Sequence, residues 1–223
     1  MPDLGPLWLS LELAAITTLI LLALGTPLAW WLARTRSVLK PAIEALTALP
    51  LILPPTVIGF YLLILLNPTS PIGGFWLNLT GDTLTFSFTG LVVASVIYSL
   101  PFMVQPLQSA FESVGRAPLE AAASLGASPI DAFFSVAAPL SIRGFLTASI
   151  LSFAHTIGEF GVVLMVGGSI PGQTRVISIA IFEQVESLQY RDAHILSGML
   201  IAFSFVTLLV VYSLNRRFRI HVG

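Results

Sequence analysis

The chain has 223 residues, of which 9% are charged and 56% hydrophobic, with a formal net charge of −1 and a mean hydropathy of +0.92. Soluble domains carry about 25% charged residues, so this composition excludes an ordinary soluble domain and implies a polytopic integral membrane protein. No basic block is present to hold nucleic acid, and the absence of cysteine excludes disulfides, thiolate metal sites and a cysteine nucleophile.

Taken in order, the chain reads as five apolar spans at residues 8–33, 44–66, 89–111, 140–166 and 195–214, each near the ~20 residues that cross a bilayer. The stretch ahead of the first span carries Asp3 and no cation, while Arg34, Arg36 and Lys40 follow it. A signal peptide has the opposite polarity, so the first span is expected to stay in the mature protein. The second span holds ALPLILPPT at 48–56, where Pro50, Pro54 and Pro55 remove backbone donors and force bends. In the third, Pro101 and Pro106 flank Gln105. The fourth places Gly144, Ala148 and Ser152 at four-residue spacing, which lets neighbouring helices approach closely.

The fourth span ends in FAHTIGEFG, with His155 and Glu159. Glu159 falls about 29 Å along the helix, near the outer boundary. An intramembrane carboxylate is a functional-site candidate; the alternatives are a hydrated surface group or one paired to hold a bend between Gly158 and Gly161. Residues 175–188 have helical periodicity through Ile177, Ile181, Val185 and Leu188 and also carry Glu183 and Glu186. At about 21 Å this stretch is short for a span and is expected to lie in the interface or dip into the bundle; if it crosses, the spans number six. Trp30 and Trp31 at the inner end, with Trp8 and Trp76 outside, suit interfacial anchoring.

The cations fix an expected orientation. Of the 10 Lys and Arg residues, Arg34, Arg36, Lys40, Arg116, Arg143, Arg216, Arg217 and Arg219 fall on one side of a five-span chain, and only Arg175 and Arg191 on the other. The positive-inside rule then puts the N-terminus outside and the C-terminus in the cytoplasm. The outer loop between the second and third spans, rich in Pro, Gly, Thr and Asn, has Asp82 as its only charge, and 167–174 has none. An outer face so poor in arginine lacks the groups that capture an anion tightly, so recognition is expected to belong to another protein. The sole lysine, Lys40, sits in SVLKP rather than after a glycine-rich turn, so no phosphate-binding loop is present. His155, His194 and His221 are scattered, and no enzyme motif or metal cluster is expected.

One polar segment, 112–139, interrupts the apolar pattern. Its first half is a short helix from Pro118, with Glu120 in the first turn where it suits the helix dipole, ended by Gly126. Ser128 caps a second helix, with Pro129 at its first position and Asp131 three residues after the cap. Ala132, Phe133, Phe134 and Val136 give that helix an apolar surface. A cytoplasmic helix–glycine–helix of this kind suits docking into a groove, or rests as an amphipathic hairpin on lipid.

Here a resemblance enters. Glu120-Ala121-Ala122, three residues, Gly126, nine residues and Val136-Ala137-Ala138-Pro139 resemble the cytoplasmic EAA signature of bacterial ABC importer permeases, Glu-Ala-Ala, three residues, Gly, nine residues, Ile-x-Leu-Pro. Val136 and Ala138 depart from it conservatively. The stretches LPLILPPTVIGFYLL and FAHTIGEFGVVLMVGGSIPGQTRVISIAIF are similar to permeases of the molybdate, tungstate and sulfate importer group, most of all those for molybdate. The resemblance covers nearly the whole chain. It implies an all-α bundle forming one domain over 1–223 in the bacterial inner membrane, with 112–139 as the coupling segment. The ATPase-coupling residues would be Glu120, Ala121, Ala122, Gly126, Ala127, Ser128 and Pro139. It implies as partners a second copy of the chain, two ATPase subunits holding ATP and Mg, an extracytoplasmic oxyanion-binding protein and membrane lipid, and no cofactor in this chain. The expected cargo is molybdate, moved by alternating access, with tungstate or sulfate permeases and an ion-coupled secondary transporter as the alternatives. The pathway is expected near Pro54, Pro55, Thr56, Gln105, Ser152, Glu159 and Gly161.

Overall fold

A computed structural model describes residues 3–217, and among them the regular structure is helical throughout, with no strand. The expected basic residue Arg219, with His221, lies outside the described residues. Helices α1 (Gly5–Arg34), α5 (Phe88–Val114) and α9 (Ile142–Gly158) pack together as the centre of the bundle. The buried stripe of α1 is unusually small and polar: Ser10, Ala14, Thr17, Thr18, Gly25 and Ala29 alternate with Leu13, Leu21 and Leu32. Its opposite face exposes Trp8, Leu19 and Leu24. That is the polarity of a membrane helix, where large apolar groups face lipid and small groups let helices approach. A Cβ on Gly25 would come 2.8 Å from Met103 Cγ, and one on Gly144 would collide with Ala110 across the α5–α9 contact. Ala148 and Ser152 continue that face, fully buried, as their four-residue spacing predicts.

The second span is broken rather than merely bent. Helix α2 (Lys40–Ile52) and helix α3 (Pro55–Leu66) meet at 112°. The cause is local: Leu53 and Pro54 each precede a proline and take extended conformations, with ψ of 138° and 137°, because the following ring excludes the helical region. By contrast α5 runs unbroken through Pro101 and Pro106. The loop 67–87 contains a helix that composition concealed, α4 (Pro71–Thr80), capped by Ser70, whose hydroxyl accepts from Gly73 N, and ended by Gly81 at φ 81°.

After α5 come α6 (Ala117–Ser124), α7 (Pro129–Ala132), a π-helical turn (Phe133–Ala137) and α8 (Ala138–Leu140). The expected continuous fourth span is interrupted twice. Residues 129–140 meet α9 at 73°, and α9 stops at Gly158 before a seven-residue helix α10 (Gly161–Gly167) resumes. Helices α11 (Ile177–Glu186) and α12 (Tyr190–Arg217) complete the fold. Among the described residues three helices are long and apolar enough to cross a membrane, or up to five if each bent pair is one span. The 10-residue α11 is not among them: Ile177, Ile179 and Ala180 are buried against the bundle, and Ile177 N donates to Ser10 Oγ at 2.8 Å. The tryptophans divide. Trp8 and Trp31 are exposed, but Trp30 is packed edge-on to Phe111 and Phe133, each 5.1 Å away, and Trp76 packs on the cluster around Ile58 and Leu84.

Replacing Gly144 by valine is expected to overpack the α5–α9 contact and destabilise the fold by about 1–3 kcal/mol. Thermal unfolding in detergent reads this, and Ala110→Gly in the same chain should recover part of the loss by returning the space.

Candidate functional sites: the polar segment and the cavity at the helix breaks

The polar segment folds as a closed local unit. Gly126 N donates to Ala123 O at 3.0 Å and Ala127 N to Ala122 O at 3.0 Å, the paired bonds of a Schellman motif. That motif needs a left-handed residue, and Gly126 has φ +88°. Ala122 and Ala127 both pack on the small cluster of Leu119, Ala132 and Ala137, the apolar contact that accompanies the motif. Ser128 Oγ accepts from Asp131 N at 3.2 Å, and Ser135 Oγ donates to Asp131 Oδ1 at 2.8 Å. With this geometry Ala122 and Ala127 are structural, whereas Glu120, Ala121, Gly126, Ser128 and Pro139 are exposed. Around a Cβ on Gly126 there is nothing within 4 Å. Leu125, Ile130 and Phe134 are also exposed, by 90%, 72% and 68%, with Phe134 edge-on to Phe133 at 5.1 Å.

Of the expected pathway residues, Pro55, Thr56, Glu159 and Gly161 meet in one cavity of about 510 Å³, together with Tyr98, Ala154, His155, Gly158 and Phe160. Pro54 adjoins it as the residue before α3. Gln105 and Ser152 do not line it. Gln105 is exposed on α5, and Ser152 faces the helix contact, fully buried, its hydroxyl without a hydrogen-bond partner among the described residues. His155 and Tyr98 were missed as cavity residues because the contact that places them is tertiary. The His155 ring stacks on Phe102 at 3.9 Å between centroids, and its Nδ1 is 2.9 Å from Ser99 Oγ.

Glu159 occupies the break itself. Its backbone is extended, with ψ 134°, so the helical ladder is cut between Gly158 and Gly161. The carboxylate is 4% exposed rather than hydrated at a boundary. Ser95 Oγ on α5 donates to its Oε2 at 3.0 Å, and Ser178 Oγ on α11 donates to its carbonyl oxygen at 2.5 Å. Its Oε1 has no hydrogen-bond partner among the described residues. Below it, Ser99 Oγ lies 3.0 Å from Thr156 Oγ1, which donates to Ser152 O at 2.9 Å. The α5–α9 contact therefore carries a ladder of hydroxyls beside the cavity. A polar network of this kind fixes one arrangement of its helices when its members are satisfied. No group of three or more potential metal ligands occurs among the described residues.

Three of the eight cations expected on one side, Arg34, Lys40 and Arg116, lie near one another at one end of the bundle. Lys40 Nζ lies 3.4 Å from Glu112 and 3.6 Å from Glu44, while Arg34 and Arg116 line one cleft with Glu112 and Glu120. At the opposite end of α1, Arg175 pairs with Asp3 at 2.7 Å and Glu183 at 3.9 Å.

Three comparisons place this architecture. Residues 25–220 match the family described as binding-protein-dependent transport system inner membrane component. The chain is 58% identical over 217 residues to a molybdenum transport system permease protein of Azotobacter vinelandii, covering 97% of this chain and 96% of that one. It is 34% identical over 200 residues to a probable sulfate transport system permease protein of Zygnema circumcarinatum, covering 89% and 68%. Its fold matches a bacterial ABC transporter involved in import of the polysaccharide alginate with a TM-score of 0.77 at 15% identity, over 97% of this chain and 80% of that one.

Ser95→Ala is expected to leave both oxygens of the Glu159 carboxylate without a partner and to destabilise the fold by about 1–3 kcal/mol. A double-mutant cycle with Glu159→Gln, read by thermal unfolding, should show the two changes coupled; strictly additive effects would mean that the contact fixes nothing.

Proposed function

The chain belongs to the family of binding-protein-dependent transport system inner membrane components, the permeases of ABC importers, and from that premise we infer that it carries molybdate. The carrying observation is the 58% identity to a molybdenum permease across 97% of the chain, against 34% to the sulfate relative. Two copies would form the path, with an ATPase subunit beneath each and an extracytoplasmic oxyanion-binding protein delivering cargo above. ATP and Mg would be held by those ATPase subunits. The N-terminus would lie outside and the C-terminus in the cytoplasm, an orientation supported by Arg34, Lys40 and Arg116 collecting at one end of the bundle.

In this reading the segment 112–139 transmits force. The exposed Leu125 at the turn, with Glu120, forms the surface that enters a groove on the ATPase. The Schellman turn makes that surface rigid, so closure of the ATPase dimer displaces the helices rather than deforming the loop. Ala121, Gly126, Ser128 and Pro139 shape the docking surface, while Ala122 and Ala127 support it from behind.

The cavity at the helix breaks is the stretch of path assigned to this chain, lined by Pro55, Thr56, Glu159 and Gly161 and adjoined by Pro54. Glu159 is tied to α5 through Ser95 and to α11 through Ser178, so it acts as the clamp that holds the break, not as a ligand. Thr56, Tyr98 and the His155 ring offer polar contacts along the cavity that let a dianion pass without trapping it. Gln105 and Ser152 are assigned to the helix face and the helix contact, respectively.

Labelled uptake into proteoliposomes holding the assembled complex, with ATP on the ATPase side, tests the cargo. Molybdate should enter only with ATP, and tungstate should compete. Sulfate uptake indifferent to excess molybdate, or molybdate entry driven by an ion gradient without the ATPase, overturns the assignment. A second measurement concerns coupling. Gly126→Leu forces a left-handed conformation costly for a branched side chain and projects into the space left for the partner. Stimulated ATP hydrolysis should be lost while membrane insertion persists.

A further inference from the structure

Two recesses away from the cavity share Trp30. One is a cleft of about 440 Å³ between the end of α1, the end of α5 and the start of α6, whose charged lining is Arg34, Glu112, Arg116 and Glu120. The other is an apolar groove of about 560 Å³ between α1 and the second half of the coupling segment, lined by Leu22, Ala23, Pro27, Ile130, Phe134 and Phe145 among others.

Two arginines and two glutamates line the cleft, but they are not paired with one another. Glu112 is engaged by Lys40 at 3.4 Å and by Gln108 Nε2 at 3.0 Å, and Glu120 is exposed on the docking surface. Arg34 and Arg116 form no ion pair among the described residues; the Arg34 guanidinium sits over the Trp30 ring, 4.7 Å from its centroid. The groove follows the two turns of α1 before Trp30, and the cleft follows the turn after it. The apolar recess is therefore deeper in the bilayer and the cationic one lies at its surface.

We propose that the paired recesses hold one anionic phospholipid of the cytoplasmic leaflet, its phosphate between Arg34 and Arg116 and an acyl chain along the groove. Guanidinium groups suit a phosphate, and the Trp30 ring beneath the Arg34 guanidinium is the wall the two recesses share. An acidic side chain of the ATPase would satisfy the cleft and leave the groove unfilled; a helix of a second copy would fill the groove without needing the cations. Only an amphipathic anion accounts for both. Because Ile130 and Phe134 belong to the coupling segment, the bound chain rests against the element that meets the ATPase. The proposal is independent of which oxyanion is carried.

Native mass spectrometry of the permease–ATPase complex, supplied with phosphatidylglycerol and phosphatidylcholine of equal chain length, provides the test. The wild type should retain phosphatidylglycerol in preference. Arg34→Gln with Arg116→Gln should lower that retention about tenfold and leave phosphatidylcholine unchanged, while Arg34→Lys with Arg116→Lys keeps most of it and reports an intact fold. Ala23→Trp, which fills the groove, should lower retention of both lipids. Equal retention of the two lipids by the wild type, or undiminished phosphatidylglycerol in the glutamine pair or in Ala23→Trp, overturns the proposal. Protection of Arg34 and Arg116 from an arginine reagent by the ATPase alone, in lipid-free complex and regardless of added lipid, assigns the cleft to the protein partner instead. Molybdate uptake does not enter the readout.

Discussion

A backbone that leaves helical geometry inside a bilayer must find its hydrogen bonds within the protein, because hydrocarbon supplies none. The rest of this structure depends on how that constraint is met at two places, Leu53–Pro54 and Glu159–Phe160. At the first, the prolines have no N–H to satisfy. At the second, Ser178 donates to the freed carbonyl of Glu159, and Ser95 holds its side chain. The breaks also shield one another: Pro55 packs so close to Gly161 that a Cβ there would come within 2.7 Å of it. The cavity exists because the chain leaves the helix twice at one level.

The two ends of the molecule solve different problems. At one end, broken helices surround a space. At the other, a compact turn and a cluster of aromatics, Trp30, Phe111, Phe133 and Phe145, tie α1, α5 and α9 to the polar segment 112–139. The α5–α9 contact joins these regions through small residues and a hydroxyl ladder, so displacement at one end has a packed route to the other. The Lys40–Glu112–Gln108–Glu44 group pins the start of α2 to α5 beside that route.

What was legible in the sequence was whatever is encoded within a few residues. The turn at Gly126 and the cap at Ser128 depend on contacts no more than five residues apart, and both appear where the residue types require them. The break at Leu53–Pro54 was readable as a bend, since it follows from the prolines, though not as a 112° change of direction. Helix α4 was hidden by its Pro and Gly content, although the Ser70-Pro71 start and Gly81 stop were there to be read. The setting of Glu159 was out of reach. Its partner Ser95 is 64 residues away and Ser178 19, and no local pattern distinguishes a clamped carboxylate from a hydrated one. Trp30 fails for the same reason: an aromatic at a span's end reads as an anchor until its tertiary neighbours are known.

Beyond their breaks, α3 and α10 run side by side in the same direction, from Pro55 against Gly161, through Gly59 against Val162 and Met165, to Leu66 and Val166 in one cluster. Each is attached to the inner bundle by a short non-helical joint, and the two joints lie together. Mechanically, that arrangement removes most of the freedom two separate half-helices would have. The pair forms one lever with a single pivot line through Pro54 and Phe160, bearing on the outer part of α5 through contacts that include Leu91 and Ala94. Motion of the pair then reduces to one angle against the rest of the bundle, shared by both helices.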